Sequence, residues 1–423
     1  MRIARFVSRP ASAERVGFEQ GDTSINPRIA SKKNAVTRVA IYLDSLQGYG
    51  ADKTVVKIIH GLVQKGIQVD LVLAKTRPSW KIPAGVRLFD LKSSRINVLK
   101  NVLGLAHYLH QYQPDILFSS IHFNNVVATT ALVLSGAKSK LIVRQANTNQ
   151  HQFKNYPSLV ALALGFCTRL AYKRVDLIIS QSEGMTQDIT GFMKADPQKV
   201  RLIYNPTVTP DIFEQAQQPA DHAWFDQKTS PIILAAGRLK PQKDFVLLLK
   251  AFANVKQSIP DARLVILGEG PQRQELEELA LQLGIRQSVD LAGFRTNPYA
   301  FIAMADIFVL SSQYEGLPNI LIEALALGKR IISTDCESGP VEILKHGRYG
   351  TLVPVGDLDQ MTEAMKAALS QPSACLRIPE ATEDFRHESQ VEKYVDVFCS
   401  LINQEAALAE LTSHADVDLA KQF

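Results

Sequence analysis

The sequence predicts an α/β protein of two doubly wound parallel-sheet domains. Three observations lead there. With 423 residues, 46% of them hydrophobic and 21% charged, the chain exceeds one ordinary hydrophobic core and is too apolar for disorder. Short apolar runs alternate with segments of helical periodicity from Val39 onwards. The same alternation stops at Asn205-Pro206 and restarts at Ile232.

Residues 1–36 mix Arg, Ser, Pro, Asn and Gly without periodicity and read as a mobile basic tail. The N-terminal domain, 37–205, opens with a buried strand at 39–43 and a Gly48-Tyr49-Gly50 turn. A helix follows in which Val55, Val56, Ile59, Leu62 and Val63 recur at helical spacing. Further strands are expected at 67–74, 115–119, 140–144, 176–180 and 200–204, with a helix at 98–111. Strands alternating with helices imply a parallel sheet covered on both faces.

Residues 206–230, rich in Pro, Gln, Thr and Asp, read as the linker, with a short helix at 211–217. The second domain, 231–382, repeats the pattern with strands at 232–236, 264–267, 289–291, 307–310 and 330–334. Its helices are expected at 244–257, 272–283, 298–303, 319–327 and 358–369. A last helix within 383–404 is expected to pack back on the N-terminal domain, with a tail at 405–423.

Composition excludes several classes. No run approaches the about 18 apolar residues of a membrane span, and Arg2, Arg5 and Arg9 precede no secretory apolar segment. Cys167, Cys336, Cys375 and Cys399 have neither metal-ligand spacing nor the density of a disulfide framework, so the cytosol is the expected compartment. Net charge is +5 over residues 1–38, +11 over 39–205 and −11 over 206–423. That asymmetry turns the first domain towards an anionic surface, such as lipid headgroups or a phosphorylated substrate. Nucleic acid is disfavoured, because the chain has no basic-aromatic platform or recognition motif.

Ala235-Ala236-Gly237-Arg238-Leu239-Lys240-Pro241-Gln242-Lys243-Asp244 spans a strand end and a helix start, where open α/β sheets bind ligands. Gly237 permits a tight turn, and Arg238 offers a fork of donors suited to phosphate oxygens. Lys243 adds a compact charge, and Asp244 suits the helix N-cap. Ser311 to Ala324 forms a second such junction, delivering Glu315 into a Gly-Pro turn and Glu323 into the following helix. Two carboxylates beside the free N–H groups of a helix end fit a ligand with both phosphate and sugar hydroxyls. Gly268-Glu269-Gly270-Pro271 and Gly48-Tyr49-Gly50 both fail as dinucleotide fingerprints, which disfavours a nicotinamide or flavin enzyme. Asp357-Leu358-Asp359 reads as a helix cap, so the reading requires no metal and no cofactor. His122 and Arg144 stand at the ends of two N-terminal strands, positions from which both reach the cleft.

Together these motifs resemble the retaining, nucleotide-sugar-dependent glycosyltransferases of family 4, with the GT-B architecture of two facing Rossmann-like domains. The resemblance rests on Gly237-Arg238-Leu239 with Lys243-Asp244, Leu267 to Pro271, Ala292-Gly293-Phe294 and the E-x7-E pair Glu315 and Glu323. It implies that Arg238 and Lys243 hold the donor diphosphate, that Glu323 binds the ribose and that Glu315 contacts the transferred sugar. Gly316, Leu317, Asn319 and Ile320 would assist with backbone donors, and Phe294 would line the base pocket. Gly48, Gly50, Gly237, Gly268 and Gly270 complete the implied donor site. His122 resembles the family's active-site histidine, and with Arg144 it marks the acceptor side.

Asp335 to Pro340 followed by Glu342-Ile343-Leu344 is similar to members that use UDP-sugars, hexoses or N-acetylhexosamines, in polysaccharide and lipid-linked glycan synthesis. Lys53 stands where a common family form has Arg. The implied partners are a nucleotide-sugar donor, a glycan or lipid-linked acceptor and an anionic membrane surface at the cytoplasmic face. The apolar run 156–172, with Lys154, Arg169, Lys173 and Arg174 at its flanks, reads either as a buried helix of the domain core or as the docking element for such a surface. A GT-B sugar-nucleotide epimerase and a non-catalytic nucleotide-sugar-binding scaffold are the alternatives.

Overall fold

The computed structural model describes residues 38–46, 50–76, 82–94, 96–146, 165, 168–226, 228–371 and 378–420, without the side chains of His122 and of 404–420. The 1–36 tail, Gly48 and most of the 156–172 run lie outside the described residues.

The first domain carries β1 (Arg38–Leu43), α1 (Gly50–Gln64), β2 (Gln68–Leu73), β3 (Arg87–Asp90), α2 (Val98–Tyr112) and β4 (Ile116–Ser120). It continues with α3 (His122–Ser135), β5 (Lys140–Arg144), β6 (Leu177–Ser180), α4 (Glu183–Gln187) and β7 (Val200–Leu202). Its seven strands lie in the order β3-β2-β1-β4-β5-β6-β7, all paired parallel. The second domain carries β8 (Ile232–Ala236), α5 (Phe245–Ser258), β9 (Arg263–Leu267), α6 (Arg273–Gln282) and β10 (Val289–Gly293). After it come α7 (Pro298–Met304), β11 (Ile307–Leu310), α8 (Asn319–Ala326), β12 (Arg330–Thr334), β13 (Thr351–Val353) and α9 (Leu358–Leu369). Its six parallel strands run β10-β9-β8-β11-β12-β13. The doubly wound architecture is therefore the one expected from the alternating pattern.

The central strands are covered on both faces, which is why they read as unbroken apolar runs: Val39 to Leu43 and Ile232 to Ala235 are all fully buried. In each sheet the winding reverses beside the first strand, so the C-terminal ends of β1 and β4, and of β8 and β11, flank a crevice. That topology, before any side chain is considered, places the Gly237-Arg238 loop and the loop leading to Glu315 side by side.

The stretch read as a linker buries Val208, Ile212, Ala220 and Phe225 in the second domain's core. The chain crosses between the domains twice, and the two crossings are bonded: Thr207 and Val208 N–H donate to Phe385 O at 3.1 and 2.9 Å, and His387 N–H donates to Val208 O at 3.0 Å. The last helix, α10 (His387–Ala420), continues through residues expected as a tail. It sets Tyr394 and Phe398 into the first domain's core, where each ring meets Phe118. Among the described residues no helix is long and apolar enough to cross a membrane.

Candidate active site

Two glycine-bearing loops form the floor of the crevice. After β8 the chain turns at Gly237, makes one tight turn at Pro241–Lys243 and enters α5, where the Asp244 carboxylate accepts from Leu247 N–H at 3.2 Å. After β9, Gly268 adopts φ +135°, and a Cβ there would stand 2.0 Å from Gly237 O. Leu239 N–H donates to Glu269 O at 3.0 Å, and a Cβ on Gly270 would lie 2.3 Å from Leu239 O. The loops touch backbone to backbone, which only residues without side chains allow.

Between the domains lies a cavity of about 680 Å³. From the second domain it is lined by Gly237, Arg238, Lys243, Gly268, Phe294, Glu315, Gly316, Leu317, Asn319, Ile320 and Glu323, and from the first by Gly50 and Arg144. Gly270 packs behind this wall. Gly48 lies outside the described residues; His122 begins α3, next to the cavity-lining Ile121, and its side chain is not described. Ile121 itself holds φ +79°, a strained conformation for a β-branched residue that costs about 1–3 kcal/mol and sets the start of α3.

The centre of the site is an ion pair between Lys243 Nζ and Glu315 Oε1, whose side chains are 14% and 8% exposed. Ser312 Oγ donates to the same carboxylate oxygen at 2.6 Å, leaving Oε2 available to a ligand hydroxyl. Glu323 is buried and accepts from the Tyr299 hydroxyl at 3.2 Å, and Lys53 lies over the Tyr299 ring. Burial, then the Glu323 charge, pushes the Tyr299 phenol far up, so it stays a donor. Lys53, Lys240 and Arg295 join Arg144, Arg238 and Lys243 as six cations against three carboxylates, Glu269, Glu315 and Glu323. Four of the six come from the half of the chain whose net charge is −11, so the binding charge is local and overall charge hides it. Burial holds the Lys240 ammonium below its ordinary pKa, with Lys243 reinforcing the effect.

Arg144 is 1% exposed. Its guanidinium donates to Ser120 Oγ at 3.0 Å, to Asn205 Oδ1 at 2.5 Å and to Gln181 Oε1, and its burial lowers its pKa. Sequence reasoning missed Gln181 and Asn205, which carry no motif. Lys53 and Lys240 stood inside the quoted motifs, where their charge was the available signal. Asp357, the capping candidate, accepts from Gln360 N–H at 2.9 Å.

A separate clasp joins the two domains. Ser182 Oγ meets Ser338 Oγ at 2.6 Å, and the Glu342 carboxylate accepts from Glu183 and Gly184 N–H at 2.9 and 3.1 Å. Burial raises the Glu342 pKa above its ordinary value. A carboxyl that binds its proton more tightly when folded contributes stability fully below its unfolded pKa and loses it as pH rises through the folded one. The difference in Tm between wild type and Glu342→Ala is therefore larger at about pH 4 than at about pH 8 in thermal unfolding.

Comparison with known proteins follows the same division. The family described as glycosyl transferases group 1 matches residues 217–385, and glycosyltransferase family 4 matches residues 49–209. The N-acetylgalactosamine-N,N'-diacetylbacillosaminyl-diphospho-undecaprenol 4-alpha-N-acetylgalactosaminyltransferase of Campylobacter jejuni is 30% identical over 342 residues, covering 78% of this chain and 90% of that protein. Among solved structures, WaaG, a glycosyltransferase involved in lipopolysaccharide biosynthesis, superposes with a TM-score of 0.67 at 19% identity, covering 85% of this chain and 99% of that one. Anabaena HepE in complex with UDP and glucose gives a TM-score of 0.65 at 18% identity, over 89% and 100% of the two chains.

Proposed function

The chain belongs to family 4 of the glycosyltransferases, with the GT-B fold, and from that premise we propose that it moves a hexose or N-acetylhexosamine from a UDP-sugar to a lipid-linked glycan, with retained anomeric configuration and without a metal. The observation that carries the reading is the buried Lys243–Glu315 pair, set at the topological switch point and facing Glu323 within one cavity. Arg238, Lys240 and Lys243 supply the charge that a departing diphosphate needs, and the free N–H groups opening α8 add to it. Glu315 Oε2 takes a hydroxyl of the transferred sugar, and Glu323 takes the ribose. The bond from the anomeric carbon to the phosphate oxygen breaks as the acceptor oxygen bonds on the same face. The acceptor's proton passes to the leaving phosphate. The acceptor class is supported by the Campylobacter relative, whose substrate is an undecaprenol diphosphate glycan, and the donor by the UDP held in HepE.

The first domain rests on anionic lipid in this reading, its +11 surplus joined by Ile96, Leu99 and Lys100 exposed near the start of α2 and by Leu103 one turn on. Vesicles of anionic lipid carrying a polyprenyl-diphosphate glycan test both parts. Salt-sensitive flotation and an α-linked product from an α-UDP-sugar, assigned by NMR, are expected. A β-linked product contradicts retention, and hydrolysis or epimerisation without transfer contradicts the acceptor assignment.

A further inference from the structure

We propose that Asn319 is a positioning residue: it is the cross-domain link of a one-way hydrogen-bond relay that starts at the buried Arg144, ends at Gly50 O and staples the donor helix α8 to the first domain's helix α1. The proposal rests on the sugar-transfer reading and adds what aligns the two halves of that site.

The direction of the relay follows from the chemistry of its ends. A guanidinium only donates, so Asn205 must present Oδ1 to Arg144 at 2.5 Å. The amide Nδ2 of Asn205 is thereby turned away and donates to Asn319 Oδ1 at 2.6 Å, where Thr207 Oγ1 also donates at 3.2 Å. At the other end, the single hydroxyl hydrogen of Thr54 is spent on Gly50 O at 3.0 Å, so Thr54 must accept from Asn319 Nδ2, which it does at 2.8 Å. The second Asn319 amide hydrogen reaches Gly50 O at 3.2 Å. Both amides are thus oriented by their neighbours from either side.

An asparagine side chain has two acceptor positions and two donor hydrogens. All four of Asn319's go to protein: Asn205 and Thr207 at the interdomain crossing, Thr54 and Gly50 across the cleft. Nothing remains for a ligand. Asn319 opens α8, whose N–H end faces the cavity, and Gly50 opens α1 on the opposite wall. Holding these two helix ends together sets the width of the cleft where sugar and acceptor meet.

The test separates alignment from donor contact. Asn319→Ala is expected to lower kcat about tenfold while the UDP dissociation constant stays within about threefold, because the donor loops of the second domain are untouched. With saturating UDP its radius of gyration in small-angle scattering should exceed that of wild type. Thr54→Val should act in the same direction, Thr54→Ser should behave as wild type, and the Asn319→Ala/Thr54→Val pair should be no slower than Asn319→Ala alone. Wild-type kcat and compactness in Asn319→Ala, or a tenfold weaker UDP with wild-type compactness, overturns the proposal. If wild type binds no nucleotide, the transferase reading fails instead, and the compactness of the unliganded variants still decides the relay.

Discussion

Lys243→Ala is expected to lower transfer at least tenfold and to destabilise the second domain as well. A charge-assisted contact to phosphate is worth about 1.5–3 kcal/mol, which corresponds to a loss of about 10- to 150-fold if it is made in the transition state. The stability effect has a separate origin. Lys243 neutralises Glu315, which is 8% exposed, and without it that carboxylate keeps the Ser312 hydroxyl and the more distant charge of Lys240. Stranding one member of a buried pair costs about 3–5 kcal/mol, and the partial exposure here puts the expected loss at the lower end. Lys243→Ala/Glu315→Gln separates the two effects. Removing the stranded charge restores Tm and leaves the enzyme inactive, so thermal unfolding and initial rates diverge in the double variant.

Gly268→Ala is expected to abolish nucleotide binding through the floor of the cleft alone. Its φ of +135° is a region that side chains avoid, and its Cβ would fall 2.0 Å from Gly237 O, a backbone atom that cannot rotate away. Backbone strain of about 1–3 kcal/mol and overpacking of about 1–3 kcal/mol add at one position. The relief available is to part the β8 and β9 loops, which moves Arg238 and Lys243 off their common wall. Calorimetric titration with UDP should give no heat of binding while circular dichroism retains the α/β signature. Wild-type affinity in this variant would show that the two loops are not the donor site.

Most of the fold could be read because parallel strands buried on both faces give unbroken apolar runs, as at Val39 to Leu43 and Ile232 to Ala236. What escaped has physical reasons. The edge strand Arg87–Asp90 is largely exposed and short, so it lacks that signature. The helix His122–Ser135 is apolar on most of its faces and gives no clear polar stripe. The loops after β8 and β11 were legible as strand-turn-helix junctions because their glycines and charged residues are local in sequence. The groups that join the domains were not. Gln181, Asn205, Asn319 and Glu342 acquire their roles from partners up to 269 residues away, as does Arg144, whose place at the cleft could be read but not its partners, and no local pattern encodes those pairings. Asn319 illustrates the difference: its backbone belongs to a readable motif, while its side chain serves the interdomain relay.

The most direct test of the donor site is a thermal-shift titration of wild type and Lys243→Ala with UDP, GDP, ADP and their sugars in EDTA. A ligand that binds only the folded state raises Tm, and the test needs no acceptor. UDP and one UDP-sugar should stabilise wild type without metal, and the shift should collapse in Lys243→Ala. Equal shifts in both proteins, or no shift of wild type with any nucleotide, would contradict the assignment of this cleft as a nucleotide-sugar site.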